Sequence, residues 1–188
     1  MIKIGILNLQ GAVSEHFDIT KKALKNLKIE SKVFNVRTSE EASRCDGIII
    51  SGGESTVIGK LLVETGIKNI IINQKIPIFG TCAGMVLLAS QTDFEQPLLN
   101  IMDMTVKRNA FGRQKDSFEK EIEIFGEKYP GVFIRAPAVE SIGANAQIIS
   151  KLDNIIIGVK QDKNIALAFH PELTQDTRLH EHFIKEVL

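Results

Sequence analysis

Short, continuous apolar runs that alternate with helix-spaced segments constrain this chain more than any other feature. The runs fall at residues 2–7, 32–36, 47–51 and 76–80, and each is followed by a stretch with helical spacing. A strand that is apolar at every position must be covered on both faces. The intervening helices supply that cover, so the pattern predicts βαβ units around a mostly parallel sheet, an α/β architecture whose ligands bind beyond the carboxyl ends of the strands. The first helix is expected from about Ser14 to Leu27, with Phe17, Ala23, Leu24 and Leu27 on one face and Val13 at its edge. After about Leu98 the texture becomes β-rich, with strands expected at 101–108, 118–124, 132–134, 146–149, 154–160 and 165–169 as an antiparallel or mixed extension. A closing helix is expected over about 176–188, turning Leu179, Phe183 and Val187 inward. No internal repeat, low-complexity tract or linker interrupts residues 1–188, which read as one domain.

Composition excludes several function classes. The 23 basic and 23 acidic side chains balance to a net charge of zero, which argues against a protein built to grip a phosphate backbone. A chain of 188 residues can bury roughly 70% of its unfolded surface, so it needs neither disulfides nor a structural metal. Cys45 and Cys82 have no C-x-x-C spacing, and neither a zinc site nor a disulfide framework is expected. No run approaches the 18 apolar residues of a bilayer span, and residues 1–7 read as a strand instead of a signal peptide. The expected location is therefore the cytoplasm. No metal or organic cofactor is suggested.

The strongest local signal is Gly80-Thr81-Cys82-Ala83-Gly84, in which a buried strand runs straight into a helix. Small residues around a cysteine permit the strained turn of a nucleophile elbow, and the Ala83 N–H is placed to stabilise an oxyanion. A helix N-terminus also favours a thiolate. The alternative is a buried structural cysteine beside a tight turn. A second signal is His170-Pro171-Glu172 at the end of a strand, where the carboxylate can fix the tautomer of the ring and Pro171 stiffens the geometry. A satisfied strand-end histidine would share that spacing. A third is Gly52-Gly53-Glu54-Ser55-Thr56 after the third strand, where two glycines let the backbone approach an anion or oxyanion, although Ser55 or Thr56 could simply cap a helix. Gly59-Lys60 is not a P-loop, because Glu54 stands where that motif needs glycine and Leu61 follows the lysine. His16, His180 and His182 are expected at the surface or in partner contacts, with no shared metal site. The charged loop 107–119 could grip a carboxylate through arginine forks, and the tract Phe133-Ile134-Arg135-Ala136-Pro137 offers an arginine beside a proline-stiffened corner, but taken alone both read as structural.

With these motifs together the chain resembles class I (triad) glutamine amidotransferases. More narrowly, Leu9-Gln10-Gly11, Gly52-Gly53-Glu54-Ser55-Thr56, Arg108-Asn109-Ala110-Phe111-Gly112-Arg113-Gln114, Asp116-Ser117-Phe118-Glu119, Val132-Phe133-Ile134-Arg135-Ala136-Pro137 and Phe169-His170-Pro171-Glu172-Leu173 resemble the glutaminase subunits of pyridoxal phosphate synthases, over nearly the whole chain. The resemblance implies a flavodoxin-like three-layer sandwich and hydrolysis of L-glutamine to glutamate, with ammonia passed to a (β/α)-barrel synthase subunit. It implies Cys82 as nucleophile, His170 as general base and acid, and Glu172 as the group that orients it. It places Gly53 and Ala83 in the oxyanion hole and Gly53, Glu54, Ser55, Arg108, Ile134 and Arg135 around glutamine. The Gln10-Gly11 loop of this family lies near both the active site and the synthase, so docking is expected to complete the oxyanion hole through a peptide flip. Three other readings stay open at this point: an amidotransferase serving another acceptor, a DJ-1/PfpI-like redox sensor or protease, and a non-enzymatic binding module with an inert Cys82.

Overall fold

The all-apolar runs form the central strands. In the computed structural model, which describes residues 1–111 and 117–188, the chain runs β1 (Ile2–Leu7), α1 (Val13–Leu27), β2 (Ser31–Val36), α2 (Ser39–Ala42), β3 (Gly47–Ile50), α3 (Ser55–Glu64), α4 (Ile67–Gln74), β4 (Ile78–Thr81) and α5 (Ala83–Leu88). It continues through β5 (Ala89–Thr92), β6 (Met102–Lys107), β7 (Ser117–Ile124), β8 (Glu127–Ile134), β9 (Ala138–Ile142), β10 (Gln147–Leu152), β11 (Ile155–Gln161), β12 (Asn164–Leu167), a 3₁₀ turn (Pro171–Leu173) and α6 (Arg178–Val187). Positions 112–116 of the charged loop, Arg113 among them, lie outside the described residues.

The strands are ordered β2-β1-β3-β4-β12-β11-β10-β7-β8. The first five are parallel, and the pairings from β12 onward are antiparallel. Every residue of β3 and β4 is buried, as strands covered on both faces require. Helix α1 packs on α6, and α3 packs on α4 and α5, giving a flavodoxin-like three-layer arrangement. The extension branches at β9, which pairs with both β11 and β6.

Helix α1 starts at Val13 and buries His16, Ile19, Thr20, Ala23 and Leu24, with Phe17 and Val13 left half-buried. The expected face does pack on the core, with Val13, Phe17 and Leu27 at its half-buried margin, and His16, Ile19 and Thr20 widen it on the other side. The His16 edge is laid on the sheet because the ring finds polar partners there. Helix α6 buries Leu179 and Phe183 as expected, together with His180 and Ile184, whereas Val187 is only half-buried. It begins two residues later than expected, where Asp176 accepts from the Arg178 N–H ahead of the first turn. Strands β5 and β9 were not anticipated, and β8 is longer than expected because it tolerates Pro130 at the edge of the sheet.

Candidate active site

Parallel β4 and β12 lie side by side, so their carboxyl ends deliver Cys82 and His170 to one place. Cys82 takes φ 50° and ψ −105°, a conformation that a side chain adopts only when its surroundings enforce it. Those surroundings are glycines. A Cβ on Gly80 would stand 2.7 Å from Leu88 Cδ1 and 2.8 Å from the Gly84 backbone, one on Gly84 would collide with the Ile50 carbonyl, and one on Gly52 would stand 2.5 Å from the His170 ring. The elbow closes only with glycine at these positions.

His170 Nδ1 lies 2.7 Å from Glu172 Oε1, across the stiffening Pro171, and both side chains are buried. The N–H of His170 donates to the Val132 carbonyl at 2.8 Å, which ties the base to the extension. Burial works against a charged ring, but Cys82 and Glu172 outweigh it and push His170 up to about 10. Burial likewise opposes the Glu172 carboxylate, and the His16 and His170 rings reverse this, holding it well below the usual range. Cys82 Sγ points at the Ile134 carbonyl, 3.8 Å away. The other cysteine, Cys45, is buried and pushed up to about 12 by desolvation and by Asp46 and Glu41, so its thiol is inert at neutral pH.

A cavity of about 310 Å³ opens over the thiol. Its lining brings together Gln10, Gly53, Glu54, Ser55, Cys82, Ala83, Arg108, Ile134, Arg135 and His170. Glu172 stands behind His170, outside the lining. Gly11, at φ 108°, packs against the Gly52 carbonyl where any Cβ would overlap it, and Gln10 Oε1 accepts from the Glu54 N–H at 2.8 Å. Ser55 donates to Gln96 Oε1 at 3.0 Å and opens α3, whose cap residue Glu54 makes no side-chain capping bond. Gly59 is explained by packing, since a Cβ there would stand 2.5 Å from the Pro97 carbonyl. The Arg108 guanidinium lies over the Phe94 ring at 4.3 Å with Nε 3.6 Å from Asp93 Oδ1, and that Nε is buried with no aligned acceptor among the described residues. Arg135, the residue after β8, has φ 41°, a second strained backbone at the cavity wall.

Two residues expected at the surface belong to this neighbourhood. His16 and His180 are fully buried behind Glu172, and their rings bond each other. The available sequence signal was the helical alignment of His16 with Ile19, Thr20 and Ala23. Among the described residues no cluster of three or more His, Cys, Asp or Glu side chains is arranged to hold a metal, and no helix is long and apolar enough to cross a membrane.

Strand, elbow and helix around Cys82, at the carboxyl edge of a flavodoxin-like sheet, define an α/β protein with a cysteine at a nucleophile elbow. The chain belongs to the SNO glutamine amidotransferase family, which it matches over residues 6–188. It is 63% identical to the pyridoxal 5'-phosphate synthase subunit PdxT of Methanothermobacter thermautotrophicus, over 100% of this chain and 98% of that protein. The PdxT of Methanobrevibacter smithii is also 63% identical, with the same coverage. Among solved structures, a glutamine amidotransferase superposes with a TM-score of 0.89 at 42% identity, covering 98% of both chains. A second one, from Thermotoga maritima, shares the fold alone, with a TM-score of 0.62 at 14% identity over 95% of this chain and 80% of that one. Family membership decides among the readings that the elbow by itself left open, in favour of an amidotransferase.

Proposed function

We propose that this chain is the glutaminase subunit of a pyridoxal 5'-phosphate synthase and works through a Cys82-His170-Glu172 triad. The observation that carries the reading is the convergence of a strained elbow cysteine and a carboxylate-oriented histidine on one cavity. The names of the curated relatives support the assembly. Cys82 attacks the side-chain amide carbon of L-glutamine, and the Gly53 and Ala83 N–H groups receive the oxyanion. His170 protonates the departing ammonia, leaving a thioester. It then takes a proton from the attacking water, so that glutamate is released and the thiol restored. Charge allots the remaining contacts: Arg108, whose Nε lacks an aligned acceptor, to the substrate carboxylate and Glu54 to its ammonium, with Ser55, Ile134 and Arg135 completing the wall. The ammonia passes to the (β/α)-barrel synthase subunit. Docking of that subunit shifts the Gln10-Gly11 loop to complete the oxyanion hole, which Gly11 permits at φ 108°. The chain acts as a single cytoplasmic domain, for which two unpaired cysteines are suited.

The test is glutamate release from L-glutamine by the chain alone and with the synthase subunit, with Cys82→Ala as blank. Release should rise on mixing and vanish in the variant. Equal rates with and without the synthase would remove the activation step, and no release from an associated, folded pair would overturn the glutaminase reading.

A further inference from the structure

The mechanism uses one oxygen of Glu172 and leaves the other without a role. Oε1 takes the His170 ring, whereas Oε2 is buried and no donor among the described residues is aligned on it. A buried carboxylate oxygen with no donor is costly. One ring nitrogen stands close enough to serve: His16 Nε2, from α1, is 3.2 Å from Oε2. The same nitrogen is aligned on Thr81 Oγ1 at 3.0 Å, and Thr81 immediately precedes Cys82. The other nitrogen of His16, Nδ1, lies 3.0 Å from His180 Nε2, from α6.

Donor counting fixes the protons along this chain. A neutral imidazole has one donor and one acceptor. The Nδ1 of His180 is buried and has no aligned partner among the described residues, so a proton there would be an orphaned donor. The proton of His180 therefore sits on Nε2 and is donated to His16 Nδ1. That makes His16 Nδ1 an acceptor and puts the proton of His16 on Nε2, facing both Thr81 Oγ1 and Glu172 Oε2. Full burial holds His180 well below its ordinary range, which keeps it neutral.

We propose that His16, locked in its Nε2–H tautomer by His180, is a positioning residue that holds the free oxygen of Glu172 and ties the histidine half of the triad to the elbow that carries Cys82. This role rests on the triad reading above. His16 touches neither substrate nor reacting atoms and acts only through Glu172 and Thr81. Its ring lies against both the residue before the nucleophile and the carboxylate behind the base, and it arrives from a third element of the fold.

The experiment combines ring-nitrogen NMR on histidine-labelled chain with glutaminase kinetics in the presence of the synthase subunit. Long-range proton–nitrogen correlations should show the Nε2–H tautomer in both His16 and His180. His16→Leu should lower kcat about tenfold or more with KM changed by less than about twofold, the signature of a lost hydrogen bond to a charged group that the substrate does not touch. His16→Gln, whose amide nitrogen reaches the Nε2 position, should recover most of that loss. If His16→Leu does not fold, His16→Asn carries the same expectation, because its amide stops at the Nδ1 position. A proton found on His16 Nδ1 would overturn the proposal. So would a folded His16→Leu or His16→Asn enzyme with wild-type kcat, or a His16→Gln enzyme as impaired as the leucine variant. An inactive wild type would instead sink the glutaminase reading, which separates the two failures.

Discussion

Glu172 is displaced downward by the His16 and His170 rings and His170 upward by Cys82 and Glu172, and the two displacements have opposite consequences for stability against pH. Glu172 is lowered from its ordinary 4.5, so its ionised form is favoured in the fold. The stabilisation is complete above about pH 4.5 and is lost as pH falls through the folded value. His170 is raised from 6.5 to about 10, so its contribution is complete below about pH 6.5 and is lost as pH climbs toward 10. The pair titrates jointly, and replacing either member should alter both limbs. The difference in melting temperature between wild type and Glu172→Gln is expected to be constant from pH 5 to 6.5 and to shrink on acidification. The difference for His170→Gln should shrink instead between pH 6.5 and 10. Melting curves across this range check both signs, and a difference that grows toward either extreme would contradict them.

Single glycines decide how the elements meet, and their consequences separate structure from site. Gly84 lies in the first turn of α5, where a Cβ would collide with the Ile50 carbonyl of β3. Gly84→Ala must move α5 off the sheet and drag the elbow with it, so it should cost roughly 1–3 kcal/mol and most of the activity. Gly126 sits in the β7–β8 turn at φ 77°, beside Phe125 at φ 52°, and a Cβ there meets nothing within 4 Å. Gly126→Ala should cost about 1–2 kcal/mol of backbone strain and leave the activity intact. Urea midpoints and glutamate release measured on both variants test the contrast. The same elements show what the sequence could disclose. Runs such as Gly47-Ile48-Ile49-Ile50 were readable because burial on both faces leaves no polar position to confuse the pattern. Strand β5, Ala-Ser-Gln-Thr, carries no such pattern and exists through its pairing with β6. The cavity wall was legible from motifs at strand ends. His16 was not, because a polar residue on an amphipathic helix reads as solvent-facing until its partners, 65 and 164 residues away in sequence, are in place.

At the scale of the whole molecule, the two halves of the chain each own part of the site. The parallel strands carry Cys82 and the glycine pair, and the antiparallel extension carries Arg108, Ile134 and Arg135. Strand β12 joins them, pairing parallel with β4 and antiparallel with β11, so one hydrogen-bonded sheet spans both halves. Side chains reinforce the join: Phe133 of β8 stacks on Phe118 at 4.7 Å and meets Phe169, next to His170, at 5.6 Å. If the sheet is one cooperative unit, the extension cannot unfold while the parallel part stays intact. The chain offers a clean probe of this, having no tryptophan and one tyrosine. Tyr129 is buried in β8, with its hydroxyl donating to the Asp176 carbonyl at 3.0 Å, so its fluorescence reports on the extension. Far-ultraviolet circular dichroism reports on all the helices, which lie outside the extension. The two signals should give coincident urea transitions. Phe133→Ala should cost about 3–5 kcal/mol of lost burial and stacking and move both midpoints down together. A tyrosine transition that precedes the dichroism change, in wild type or in the variant, would mean that the extension is a separate folding unit and that its share of the glutamine site can be lost while the nucleophile elbow persists.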